Sequence, residues 1–185
     1  MAVTGVVLAA GAGTRMGMPK ALVVRDGVPW VARAAHLLRA AGCDRVVVVL
    51  GASADRALGF VPTDDTIQTI INEDWPSGMA SSLRAGLLAA TGDAALVSLV
   101  DTPGLPVEAV RRVLASEVPL ARATYGTRPG HPVLISAAHW APISATLTGD
   151  QGARAYLDAH GVIDVECGDL WNGLDEDTPR TTPVE

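Results

Sequence analysis

The stretch "LAAGAGTRMGMPKAL", residues 8–22, holds Gly11, Gly13 and Gly17 together with Arg15 and Lys20, directly behind an apolar run. Glycines let backbone N–H groups come close to phosphate oxygens. An arginine adds a planar fork for phosphate, and a lysine adds a mobile point charge. A tight strand-to-helix turn with two solvated cations fits the same letters, because a lone glycine motif is weak. Two familiar phosphate loops are excluded by spacing. The dinucleotide fingerprint needs GxGxxG and an acid closing the second strand, where this chain has Leu50 and Gly51. The P-loop needs GKS or GKT, and here Pro19 precedes Lys20.

Asp101 follows the apolar run "ALVSLV" and suits Mg²⁺ held against a triphosphate. It also suits a turn before Pro103. In "NEDWPSGMASSLRAGL", residues 72–87, Asn72 and the Gly78–Ser82 segment with Ser81 and Ser82 offer small polar groups and helix N–H donors to a base edge or ribose. Ordinary helix capping uses the same serines. His131 stands in "RPGHPVLI", with no second histidine at zinc-ligand spacing. His36 falls within a helical pattern, and His139 and His160 read as surface residues. There is no GxSxG elbow or cysteine-nucleophile context, so serine or cysteine hydrolase chemistry has no support.

These residues need a scaffold. Apolar, β-branched runs at 3–9, 45–51, 66–72 and 95–101 alternate with helical patterns at 29–42, 78–92 and 105–116. Such alternation predicts an α/β fold, with helices on both faces of a mostly parallel sheet. Further strands are expected at 123–126, 131–135 and 162–167, and helices around 136–147 and 150–160. No repeat or linker interrupts the chain, so residues 1–185 read as one domain. In such sheets ligands bind beyond the carboxyl ends of the strands. The glycine loop, Asn72 and Asp101 all fall there.

Composition narrows the partners. A net charge of −6 argues against nucleic acid or an anionic membrane as main partner, and 49% hydrophobic residues argue against disorder. Cys43 and Cys167 lie far apart without CxxC spacing, which suits packed thiols in a reducing compartment. The N-terminal apolar run lacks a basic leader and no segment reaches membrane-spanning length, so a cytoplasmic location is expected.

With "LAAGAGTRMGMPK", "NEDWPSGMASSLRAGL", "VDTPGLP", "GHPVLI", "LTGDQGARAYL" and "DEDTP" in this order, the chain resembles the MobA/MocA-like nucleotidyltransferases. It is most similar to the molybdenum cofactor cytidylyltransferase branch. The resemblance spans nearly the whole chain. It implies a single-domain, three-layer α/β/α fold of the Rossmann-like nucleotide-diphospho-sugar transferase type. It also implies Mg²⁺-dependent transfer of CMP from CTP to a phosphorylated acceptor, of which molybdopterin is the implied one, with release of pyrophosphate. By position, Leu8, Ala10, Gly11 and Gly13 face the nucleotide, Arg15 neutralises the leaving phosphates, and Lys20 contacts the α-phosphate. Asn72, Gly78, Ser81 and Ser82 read base and ribose, Asp101 binds the metal, and His131 lies on the acceptor side. The tail departs from the family's pattern: Glu176 adds a charge and Arg180 replaces an acid. Asp175 matches the second metal carboxylate, with Asp177 as the alternative. Because an acceptor phosphate is already ionised, catalysis reduces to positioning and charge neutralisation, which accounts for the missing triad. Ala10 and Gly13 match the cytidylyl form of the loop. A methyl group at residue 10 takes space a purine could use, and a missing serine hydroxyl at 13 removes a partner for guanine. Rival readings are guanylyl transfer from GTP, sugar-phosphate nucleotidyl transfer, and a non-catalytic nucleotide or cofactor carrier. Transient contact with a molybdoenzyme or its chaperone would follow from the molybdopterin reading.

Overall fold

The computed structural model describes residues 1–177, so the tail positions from Thr178, Arg180 among them, lie outside it. In chain order the elements are β1 (Val3–Ala9), β2 (Val24–Arg25), β3 (Val28–Pro29), α1 (Trp30–Ala41), β4 (Arg45–Leu50), α2 (Ala54–Ala57), β5 (Ile67–Ile71), α3 (Met79–Ala89) and β6 (Ala94–Leu99). They continue with α4 (Val107–Leu114), β7 (Leu120–Tyr125), β8 (Arg128–Ser136), α5 (Trp140–Thr146), α6 (Arg154–Ala159) and β9 (Ile163–Glu166).

Seven strands form one sheet in the order β5-β4-β1-β6-β8-β7-β9. β1 pairs in parallel with β4 and β6, and β4 with β5. β8 runs antiparallel to both β6 and β7, while β9 is parallel to β7. Among these seven, every strand but β8 therefore points one way, while β2 and β3 form a separate antiparallel pair. Every residue of β1 is buried, as a central parallel strand covered on both faces requires.

The two-residue period of the strands divides the core in two. On one face Val7, Val46, Val48, Leu50 and Leu96 meet α1 and α4 through Leu38, Val110 and Val113. On the other, Val6, Leu8, Val47, Val49 and Val97 meet α3, α5 and α6 through Leu83, Leu87, Ile143 and Leu157. This is the predicted three-layer arrangement. The expected helices at 29–42, 78–92 and 105–116 are trimmed to α1, α3 and α4. The pattern at 136–147 divides into a 3₁₀ turn, Ala137–His139, and α5. No helix among the described residues is long and apolar enough to cross a membrane.

Candidate active site

A cleft of about 440 Å³ opens at the carboxyl ends of β1 and β6. Leu8, Ala10, Gly11, Gly13, Arg15, Lys20, Gly78 and Ser82 line it together with Asp101, so most of the residues chosen from sequence meet there. Asp177, the alternative metal carboxylate, and Met79 of the Gly78–Ser82 segment also line it, as do Trp75 and Asp150, which were given no role beforehand although Asp150 sits in the quoted "LTGDQGARAYL".

The loop after β1 does not open an α-helix. It closes through Met16 N–H donating to the Gly13 carbonyl at 2.9 Å and ends in a single 3₁₀ turn, Lys20–Leu22, anchored by buried Ala21 and Leu22. Anion attraction here must come from loop amides and the two cations, not from a helix N-terminus. Gly13 has φ +60°, and a Cβ there would lie 1.9 Å from the Met18 carbonyl oxygen. Glycine at 13 is thus fixed by the loop backbone itself. A serine hydroxyl could not be added at this position with the loop unchanged.

Asn72, just past β5, is buried and spends its side chain internally. Its Nδ2 donates to Ser81 Oγ at 2.8 Å and Ser82 Oγ at 3.1 Å, and its Oδ1 accepts from the Asp74 N–H. The Ser81 hydroxyl is engaged with the carbonyls of Asp74 and Gly78. Asn72 and Ser81 therefore stand behind the cleft wall and brace it, whereas Ser82 lines the cleft. Among the N–H groups at the start of α3, that of Ala80 is taken by the Gly149 carbonyl at 3.0 Å. Gly78 permits this approach, since a Cβ there would sit 2.4 Å from Gly149.

Opposite the loop, Lys20 Nζ donates to Asp101 Oδ2 at 2.7 Å and also to Asp177 Oδ1, and Arg15 reaches Asp177 Oδ2 at 3.0 Å. Lys20 and Asp101 side chains are each only 15% exposed. Burial pulls the Lys20 ammonium down, but its bonds to Asp101 and Asp177 outweigh that and leave its pKa above the ordinary lysine value. The Lys20 hydrogen bond, with Arg15 behind it, holds the Asp177 carboxyl below its usual range.

Asp101, Asp175 and Asp177 each turn one carboxylate oxygen inward, and these atoms lie within 4.8 Å of one another. Asp101 Oδ1 is buried with no hydrogen-bond partner among the described residues. Three convergent carboxylates, one with an orphaned oxygen, form a donor set that fits a hard divalent cation. Glu176, the unexpected tail charge, is not one of the three. It pairs with both terminal nitrogens of Arg25, while its backbone N–H donates to the Asp101 carbonyl at 2.8 Å. The tail thus crosses back and is fastened at the site by the Glu176–Arg25 pair, by the pairing of Asp177 with Lys20 and Arg15, and by the backbone bond to Asp101.

His131, near the start of β8, belongs to an adjoining apolar cavity of about 170 Å³ that shares Leu8 and Met79 with the cleft. Desolvation holds its imidazole below the usual histidine pKa, against the opposing pull of Asp101 and Asp175. The reversed direction of β8 is what brings His131 to the same sheet edge as Asp101.

This constellation has known counterparts. Residues 5–164 match the MobA-like NTP transferase domain. Nicotine blue oxidoreductase of Paenarthrobacter nicotinovorans is 42% identical, over 95% of this chain and 92% of its own. A molybdenum cofactor guanylyltransferase of Burkholderia orbicola is 33% identical, over 90% and 87%. The crystal structure of the Rv0371c homologue from Mycobacterium sp. strain JC1 superposes with a TM-score of 0.83 at 30% identity, covering 95% and 90%. The chain belongs to the MobA-like NTP transferase family, as a nucleotidyltransferase of the MobA/MocA type.

Proposed function

We propose that the protein transfers a nucleotidyl group from a Mg²⁺–NTP to a phosphate monoester and releases pyrophosphate, with a molybdopterin-type cofactor as acceptor. The observation that carries this reading is the orphaned, buried Asp101 Oδ1 in a cluster of three carboxylates facing a cationic glycine loop. Asp101 with Asp175 and Asp177 would hold Mg²⁺, which when bound supplies charge to the triphosphate oxygens. Arg15 and Lys20 neutralise the phosphates, and loop amides orient them. An acceptor phosphate oxygen forms the new bond to the α-phosphorus. The bond to the bridging oxygen breaks, and pyrophosphate leaves with that electron pair. The cavity beside His131, whose lining combines Leu83, Val133 and Leu157 with Arg122 and Arg154, offers room for an acceptor body.

Base choice rests on opposed observations. Ala10 still favours CTP, while Gly13 drops out because the loop backbone requires glycine there. Several relatives named as guanylyltransferases, at 29–33% identity, favour GTP. GTP is accordingly the first substrate to try, and kcat/KM for GTP against CTP decides.

A second reading, oxidoreductase, is favoured by the 42% identical relative bearing that name. The loop lacks the dinucleotide fingerprint, which weighs against it. Pyrophosphate release from NTP plus a phosphorylated pterin supports the first reading. Consumption of reduced nicotinamide with nicotine blue, the compound in that relative's name, without pyrophosphate, would support the second. Asp101→Asn should lower transfer by about ten- to a thousandfold while the fold survives. Normal turnover in that variant refutes the metal role.

A further inference from the structure

A second cavity of about 300 Å³ lies on the other face of the sheet, between α1 and the segment 98–105 that carries Asp101. Trp30, Arg33, Ala34 and Leu37 supply one wall, at the i, i+3, i+4, i+7 spacing of a single helix face. Val100 and Leu105 supply apolar surface opposite, and Ser98 and His36 contribute polar groups. No aspartate or glutamate lines it among the described residues.

Two donors in this wall have no acceptor. Trp30 is 1% exposed, and its Nε1–H is buried without a hydrogen-bond partner. Arg33 Nε is likewise buried and unpartnered, and its guanidinium has no ion pair among the described residues. A buried indole N–H ordinarily finds a partner, and a half-buried arginine ordinarily pairs with an acid. Arg25 covers the face of the Trp30 ring, 5.4 Å from its centroid, and does not engage the indole N–H.

We propose that this cavity binds a small organic anion, a carboxylate or phosphate on an apolar body, whose oxygens accept from Arg33 and the Trp30 indole. An oxyanion satisfies the planar fork of an arginine bidentately, and the apolar wall takes the rest of the ligand. The site is distinct from the nucleotide cleft and does not depend on which reaction occurs there. It shares the 98–105 segment with Asp101, so its occupancy and Mg²⁺–NTP affinity are positioned to be reciprocally linked.

The test is titration of the ¹⁵N-labelled protein with benzoate and with phenyl phosphate, following the indole N–H resonances. Trp75 lines the nucleotide cleft and serves as an internal reporter for that site. The Trp30 resonance, assigned by its loss in Trp30→Phe, should move saturably with at least one probe, and benzoate should leave Trp75 in place. Which probe moves it tells carboxylate from phosphate. Arg33→Gln should weaken binding about ten- to a hundredfold, and Arg33→Lys, which keeps the charge without the fork, by less. The other indole signals report whether each variant is folded. A Trp30 signal indifferent to both anions, equal movement with neutral benzyl alcohol, or unchanged affinity in a folded Arg33 variant would overturn the proposal. Loss of pyrophosphate release alone would bear on the cleft and leave this site untouched.

Discussion

Replacing Lys20 by methionine keeps the length of the side chain and removes its charge. At 2.7 Å from Asp101 Oδ2, the ammonium attracts the carboxylate by about 6 kcal/mol at an effective dielectric constant near 20. Desolvation of both groups offsets part of this, so loss of the cation should cost about 2–4 kcal/mol net. Asp101 then has neither oxygen satisfied, since Oδ1 is already orphaned. For a chain of this size that corresponds to a fall in Tm of roughly 5–15 °C in metal-free buffer. Mg²⁺ should recover more of the loss in Lys20→Met than it adds to the wild type, because in the wild type the ammonium already neutralises the same carboxylates and repels a second cation. Scanning calorimetry with EDTA and with Mg²⁺ measures both effects. The sign with pH follows from the raised Lys20 pKa: the stabilisation is complete below about pH 10.4 and is lost as pH rises through the higher folded value. A Tm within about 2 °C of wild type in EDTA, or no larger Mg²⁺ response in the variant, would refute this account of the acid cluster.

Gly13→Ser should weaken nucleotide binding for GTP and CTP alike, because the Met18 carbonyl must move before any base is read; a clean switch in base preference, measured by kcat/KM, contradicts this. Glu176→Gln should loosen Mg²⁺ binding about tenfold by releasing the Arg25 pair beside Asp175 and Asp177, while barely changing Tm; calorimetric titration of the metal reads it. Burial pushes the Cys43 thiol up to about 12, so its contribution is intact below the unfolded value near pH 8.5 and drains away as pH rises toward 12. In urea unfolding, the stability gap between wild type and Cys43→Ala should therefore shrink by about 2 kcal/mol between pH 8 and pH 10.

The parallel core was legible because continuous apolar runs such as "RVVVVL" have only one comfortable home, a strand covered on both faces. The glycine loop, Lys20 and Asp101 were legible because their spacing and strand-end positions carry chemistry by themselves. Asn72 and Ser81 were read as base contacts, yet they bond to one another, and nothing in residue type separates a polar group that faces a ligand from one that braces the wall behind it. The reversal of β8 left no local mark either, since "HPVLI" is apolar whichever way it runs. Glu176 looked like an anomaly because its partner, Arg25, is distant in sequence and its pairing arises only when the tail folds back. Tertiary return of that kind leaves no periodic signal.

The lone reversed strand divides the molecule in a way that bears on its history. The loop and the first carboxylate grow from neighbouring parallel strands at the centre of the sheet, β1 and β6, whose order cannot be changed without dismantling the core. His131 instead enters on a hairpin, β7–β8, added along one flank and followed by the short helices α5 and α6. That flank lies outside the strands that carry the glycine loop and Asp101, so a change in its length or side chains need not move them. A lineage built this way can retool what it acts upon by remodelling one appendage. Relatives named for guanylyl transfer and for oxidation and reduction could then descend from one scaffold.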